Sequence, residues 1–179
     1  MRQSTPVIVL SLGILIASTA AILFKVAEGA GAPALVIAAG RLTLASAILT
    51  PLAWGQAGAE IRQVTRRDVL LALASGVLLA LHFAAWFGSL VYTSIASSTA
   101  LVATIPIFVG VASVVLLGER LPRMVVAGIG IAVVGSIVIG ISDGGAGATG
   151  SNPLLGDLLA LVGAAAAAGY YLFGRSVRR

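Results

Sequence analysis

The residues of this chain that could do chemistry are few, and nearly all of them lie inside long apolar runs. His82 is its only histidine; Trp86 follows one helical turn later, and Ser75 and Ser89 stand seven residues to either side. At helical periodicity these four share a face. An imidazole, an indole and hydroxyls on one face can stack on or hydrogen-bond a small solute, and the imidazole titrates near neutral pH. The plainer alternatives are a histidine bonded to a neighbouring backbone or serine inside a bundle, and a tryptophan in a membrane's aromatic belt. Ser11, Ser18 and Lys25 form a second polar stripe, again at intervals of seven. Lys25 is either a substrate or counter-charge site at the mouth of a pathway or a lysine whose stem snorkels to the interface. Thr104 and Pro106 make a third constellation: the proline lacks the N–H that would bond the carbonyl of Val102, giving a hinge beside a hydroxyl or an ordinary membrane-helix proline.

Catalytic chemistry finds no such support. There is no cysteine, so thiolate catalysis, disulfides and Cys-bound metals are excluded. No carboxylate pair lies inside a run for acid–base work, no His/Glu spacing suits a metal, and the glycines of 144–150 lack the strand and following lysine of a phosphate loop. A six-span intramembrane serine protease would need a Gly-x-Ser nucleophile motif and a histidine on another helix. The sole histidine precedes every serine of the later runs. The expectation is a protein that is not an enzyme and carries no metal or cofactor.

The elements that must position these side chains are six apolar runs: 6–24, 34–54, 69–88, 95–117, 124–141 and 156–173. Each holds roughly 18 to 23 residues, enough at about 1.5 Å per residue to cross a hydrocarbon core about 30 Å thick. With 59% hydrophobic and 9% charged residues, the chain has too little polar surface for a water-soluble globule. Threading the runs alternately puts nine of the eleven basic residues on one side: Arg2, Arg62, Arg66, Arg67, Arg120, Arg123, Arg175, Arg178 and Arg179. Only Lys25 and Arg41 fall opposite. Short Arg-rich loops stay cytoplasmic, so both termini are expected inside. The net charge of +5 is thus a topology signal beside span ends rather than a nucleic-acid surface. The fold class is all-α: a polytopic membrane bundle of six transmembrane helices, with the lipid bilayer as its solvent and the first run a true span rather than a cleaved signal.

Arg41 lies about 10 Å into the second run counted from Ala34, a depth that snorkelling can cover. Pro122 sits where a first-turn proline costs no helical bond, and Glu119 beside it is expected to orient the fifth helix. Two ladders of small residues recur every four positions: Gly128, Ala132, Ser136 and Gly140 in the fifth run, and Gly156, Ala160, Ala164 and Ala168 in the sixth. Such strips let backbones approach closely, either within one unit or between units or protomers. The segment 142–155, rich in Gly, Ser, Asn and Pro, is expected to be an external flexible linker.

Several landmarks together resemble one family. Ala38-Ala39-Gly40-Arg41-Leu42-Thr43-Leu44, the stretch Leu79 to Phe87 around His82, Tyr92-Thr93-Ser94, Thr104-Ile105-Pro106 and Leu117-Gly118-Glu119-Arg120-Leu121 look like the EamA-type repeat of the drug/metabolite transporter superfamily. The resemblance divides the chain into a five-helix repeat, 6–141, the linker 142–155, and the first helix of an incomplete second repeat, 156–179. It implies a secondary transporter built from five plus five inverted helices, moving small metabolites, amino acids or drugs, often outward across the inner membrane. His82, Trp86, Ser11, Ser18, Lys25 and Thr104 become candidates for the substrate cavity, Pro106 a hinge, and the Gly128 ladder a packing strip. Because this chain stops after a sixth helix, a truncated, non-transporting membrane protein, or a subunit that pairs with a second copy as a homodimer, stands as the alternative.

Overall fold

The computed structural model describes residues 4–143 and 150–177, and every described element is helical. The first span is two helices, α1 (Ser4–Ser18) and α2 (Ala20–Gly29). The Ser18 hydroxyl donates to the Leu15 carbonyl at 2.7 Å and the Thr19 hydroxyl to that of Ile16 at 2.8 Å. Hydroxyls that bond back onto their own helix bend it, and the break falls at Thr19. Lys25 therefore lies within helix rather than beyond it.

Helix α3 (Ala34–Ile61) runs through Pro51 and past the expected end at Trp54, with a single non-helical residue at Ala57. Helix α4 (Arg66–Tyr92) starts at a capping box: the Thr65 hydroxyl accepts from the Asp68 N–H, while the Asp68 carboxylate accepts from the Thr65 N–H at 3.0 Å. These two extensions reduce the expected inner loop 55–68 to Arg62–Thr65, because reciprocal capping and good helix formers outweigh the glycines there.

The fourth span is again two helices, α5 (Ile95–Val102) and α6 (Ile105–Leu117). Gly118 ends α6 with a left-handed φ of 65°, sending its N–H back to the Val114 carbonyl at 3.2 Å. Helix α7 (Arg123–Asp143) follows the turn, and α8 (Pro153–Val177) completes the described chain. Helix consumes both ends of the expected linker. Its residues 144–149 lie outside the described residues, while Gly150 to Asn152 rest on the end of α4, the Asn152 N–H reaching the Tyr92 carbonyl at 3.3 Å.

Among the described residues, five segments are long and apolar enough to cross a membrane: Ser11–Gly29, Ala34–Ile61, Arg66–Tyr92, Ile95–Leu117 and Pro153–Arg175. The apolar stretch found in α7, Arg123–Val138, is shorter. The whole of α7 nevertheless holds 21 residues, about 32 Å of helix at 1.5 Å per residue. Large side chains such as Ile16, Val115 and Ile131 are about three-quarters exposed, as suits helices whose outer solvent is hydrocarbon.

Packing is densest where α8 lies along α4, and α8 also meets α5 and α6. Thr93, His82 and Ser75 along α4 bond in turn to Asp157, Gly163 and Tyr170 along α8, so the two helices are antiparallel, and the end of α8 also reaches the α6–α7 turn. Two small cores form. One gathers Ala21, Phe24, Ala38, Phe87 and Leu90; the other gathers Leu101, Val102 and Ala160.

Candidate functional site

Helix α4 and its capping residue supply half of the buried polar side chains among the described residues. Ser75, His82 and Ser89 are buried, on the face expected from their spacing, and so is Thr93, which caps the helix. His82 Nδ1 lies 2.9 Å from the Gly163 carbonyl of α8. A carbonyl only accepts, so Nδ1 carries the hydrogen in this arrangement. The helices approach closely here: a Cβ at position 163 would stand 3.3 Å from both the His82 carbonyl oxygen and the Trp86 backbone nitrogen. Nearer the α8 C-terminus, the Ser75 hydroxyl donates to the Tyr170 carbonyl at 3.3 Å.

At the other end of the same interface, four hydroxyls and one acid gather in two adjoining sets. Asp157 Oδ1 accepts from Thr93 Oγ1 at 3.0 Å and from Ser97 Oγ at 2.9 Å. The Ser89 hydroxyl donates to the Trp86 carbonyl at 2.6 Å, which uses its one hydrogen, so Ser98 donates to Ser89. These bonds tie α4, α5 and α8 at one corner. Gly156 lets the corner close, since a Cβ there would fall 2.6 Å from Thr93 Cβ.

Trp86 belongs to an aromatic sheet running across the bundle. Its ring centroid is 5.7 Å from that of His82, 6.1 Å from Phe83 and 5.3 Å from Phe87, and Phe87 stacks on Phe24 at 4.8 Å. Its Nε1–H is buried with no hydrogen-bond acceptor, which costs about 1–3 kcal/mol in a protein interior. Beyond Phe83 stands Arg41, its guanidinium carbon 4.9 Å from that ring's centroid.

The structure thus brings His82 and Trp86 together and leaves the stripe of α1 and α2 apart from them. Ser11 and Ser18 are exposed. Lys25 is paired with Glu28 at 2.9 Å, one turn along its own helix. Thr104 is buried, its hydroxyl donating to the Leu101 carbonyl at 2.6 Å. Pro106 occupies the first turn of α6, so the fourth span is interrupted rather than kinked: α5 ends at Val102 and a new helix starts past Thr104. A proline in a first turn has no helical bond to lose.

The two ladders part company. Gly156, Ala160, Ala164 and Ala168 are buried. Gly128 is exposed, and Ala132 and Ser136 are half-buried, with the Ser136 hydroxyl turned back to the Ala132 carbonyl at 2.9 Å. The side-chain environment of Gly140 lies outside the described residues, as do Arg2, Arg178 and Arg179. Glu119 takes both guanidinium nitrogens of Arg175, at 2.7 and 3.2 Å, and so holds α8 as well as the turn before α7.

Sequence reasoning missed Asp157, Thr93, Ser97 and Ser98 as a site. The available signal was four hydroxyls around one turn, Ser94 among them, and a single acid near the start of an otherwise apolar helix.

Long apolar helices with their polar side chains turned onto one another define a multi-pass membrane protein of the helical-bundle class. More particularly, the chain belongs to the EamA-like transporter family, whose family model matches residues 4–141. That match takes in α1 to α6 and nearly all of α7, and stops before α8. No curated protein and no solved structure matches the chain.

Proposed function

We propose that this chain works in the secondary transport of small organic metabolites, amino acids or drugs, in the outward direction, as part of a five-plus-five inverted-repeat assembly in the inner membrane. The observation that carries this is the inward face of α4. Polar groups in a bilayer are costly and mark solute or ion paths when they face the bundle. His82 and the aromatic sheet offer a surface for stacking, and the unpaired Trp86 Nε1–H is a donor that a solute acceptor would satisfy. The interrupted fourth span, with Thr104 and Pro106 at its break, supplies a place for the bundle to flex.

The arginines support an orientation with both termini in the cytoplasm. Arg62, Arg66 and Arg67 at the α3–α4 turn, Arg120 and Arg123 at the α6–α7 turn, and Arg175 at the end of α8 belong to one end of the antiparallel bundle. With no ATP site in the sequence, coupling would be to a proton or to the solute's own gradient.

The test is reconstitution of purified protein in proteoliposomes and measurement of solute flux. His82→Ala is expected to impair flux while leaving membrane insertion unchanged. No flux of any small organic solute from monodisperse protein would overturn the proposal for the isolated chain. A second role, a subunit that pairs with another copy, is favoured by the exposure of Gly128 on α7. In that case the pairing surface is α7, and flux appears only in dimeric fractions.

A further inference from the structure

An arginine held at membrane depth against aromatic rings, with a groove in front of it and no acid beside it, asks for an anion. An open groove of about 490 Å³ runs between α1, α2, α3 and α4, lined by Ile16, Leu23, Phe24, Ile37, Phe87 and Arg41, among others, with Ile16, Leu23 and Arg41 on its exposed side. That volume is within the range of small-molecule sites. None of its lining residues is acidic. The basic groups that have acids to hold them are elsewhere: Lys25 is bonded to Glu28 and Arg175 to Glu119.

Arg41 instead has its guanidinium 4.9 Å from the centroid of Phe83 and 6.0 Å from that of Phe87. Cation–π contacts of this kind attract the guanidinium, but they offset only part of the cost of placing an arginine within a membrane span. Rings also leave the guanidinium's five N–H donors without acceptors in its own plane. A carboxylate meets that plane with two parallel bonds. Apart from Thr19, whose hydroxyl donates to the Ile16 carbonyl, the rest of the wall is apolar, with Ile16, Leu23 and Ile37 beside the stacked pair Phe24 and Phe87.

We infer that the groove between α1, α2, α3 and α4 binds an amphipathic organic anion, with its carboxylate on Arg41 and a compact apolar body against Phe24, Phe87 and the aliphatic wall. This rests on the transport role proposed above and adds the substrate class. Arg41 selects the charge, and the wall selects the body.

The structure provides its own reporter. The chain has two tryptophans, Trp54 and Trp86; Trp54 is exposed, and Trp86 lies beside Phe87 with ring centroids 5.3 Å apart. In the Trp54→Phe protein in nanodiscs, Trp86 emission is titrated with the anion of 4-nitrophenylacetic acid and with the uncharged 4-nitrophenylacetamide. The acid is expected to quench saturably and to bind at least about ten-fold more tightly than the amide, a gap of about 1.4 kcal/mol. Arg41→Gln should abolish that gap, and Arg41→Lys should keep a reduced one, since lysine retains charge but not the planar fork. Equal binding of acid and amide, a gap that survives Arg41→Gln, or no saturable quenching by either probe overturns the inference. Flux without any carboxylate preference overturns it too while leaving transport standing. Carboxylate binding with no flux overturns transport and leaves the anion site standing.

Discussion

Gly128, Ala132 and Ser136 on α7 repeat at the same four-residue interval as Gly156, Ala160 and Ala164 on α8, but a Cβ added at Gly128 meets nothing within 4 Å whereas one at Gly156 falls 2.6 Å from Thr93 Cβ. Small residues permit close approach; they do not choose the partner. On α8 the choice is made by hydrogen bonds to other helices: Asp157 takes the Thr93 and Ser97 hydroxyls, Gly163 offers its carbonyl to His82, and Arg175 reaches Glu119. On α7 the one described side-chain bond is that of Ser136 to its own helix. In lipid the hydrophobic effect does not drive helices together, so packing and interhelical hydrogen bonds decide.

The largest test of this contrast is a pair of matched substitutions. Gly156→Ala should lower the reversible unfolding free energy in mixed micelles by about 2–3 kcal/mol, since the new methyl meets Thr93 backbone as well as side chain. Gly128→Ala should change it by no more than about 0.5 kcal/mol. Equal losses at the two sites would erase the distinction between the ladders.

Removing the acid should come next. Asp157→Ala leaves two hydroxyls at the corner without their acceptor, at about 1–3 kcal/mol, and should speed amide exchange in the first turns of α8. Asp157→Asn keeps an acceptor and should recover part of that loss. A smaller effect, about 0.6 kcal/mol and at most about 1.7, is expected for His82→Phe, which removes one interhelical bond and keeps a ring of comparable bulk. Arg175→Gln should have the least effect on unfolding, because the pair it breaks is solvent-exposed. Any difference from the parent protein should vanish in high salt.

The spans themselves were legible because lipid imposes one demand, about twenty apolar residues in helix, that any window of sequence can be checked against. The face shared by Ser75, His82 and Ser89 was legible too, since helical periodicity is local. What α8 packs on was not. Gly163 looks like any other glycine until His82, 81 positions earlier in the chain, is found against it. Asp157 is a lone acid in an apolar run, and its meaning depends on hydroxyls that the turn after α4 brings round. Pro106 announced a disturbance in the fourth span, but the extent of it depended on Thr104, whose hydroxyl occupies the Leu101 carbonyl and makes the gap stable.

The corner at Asp157 also has a consequence for how the protein is made. Thr93 and Asp157 are 64 residues apart in the chain. At synthesis rates of about 5–20 residues per second, the hydroxyls of Thr93 and Ser97 emerge roughly 3–13 s before the carboxylate they will bond. For that interval the nascent hairpin of α4 and α5 enters the membrane with its polar groups still in want of an acceptor. The corner closes only when α8 arrives, so the densest contact among the described helices is also one that must form well after α4 and α5 have been made.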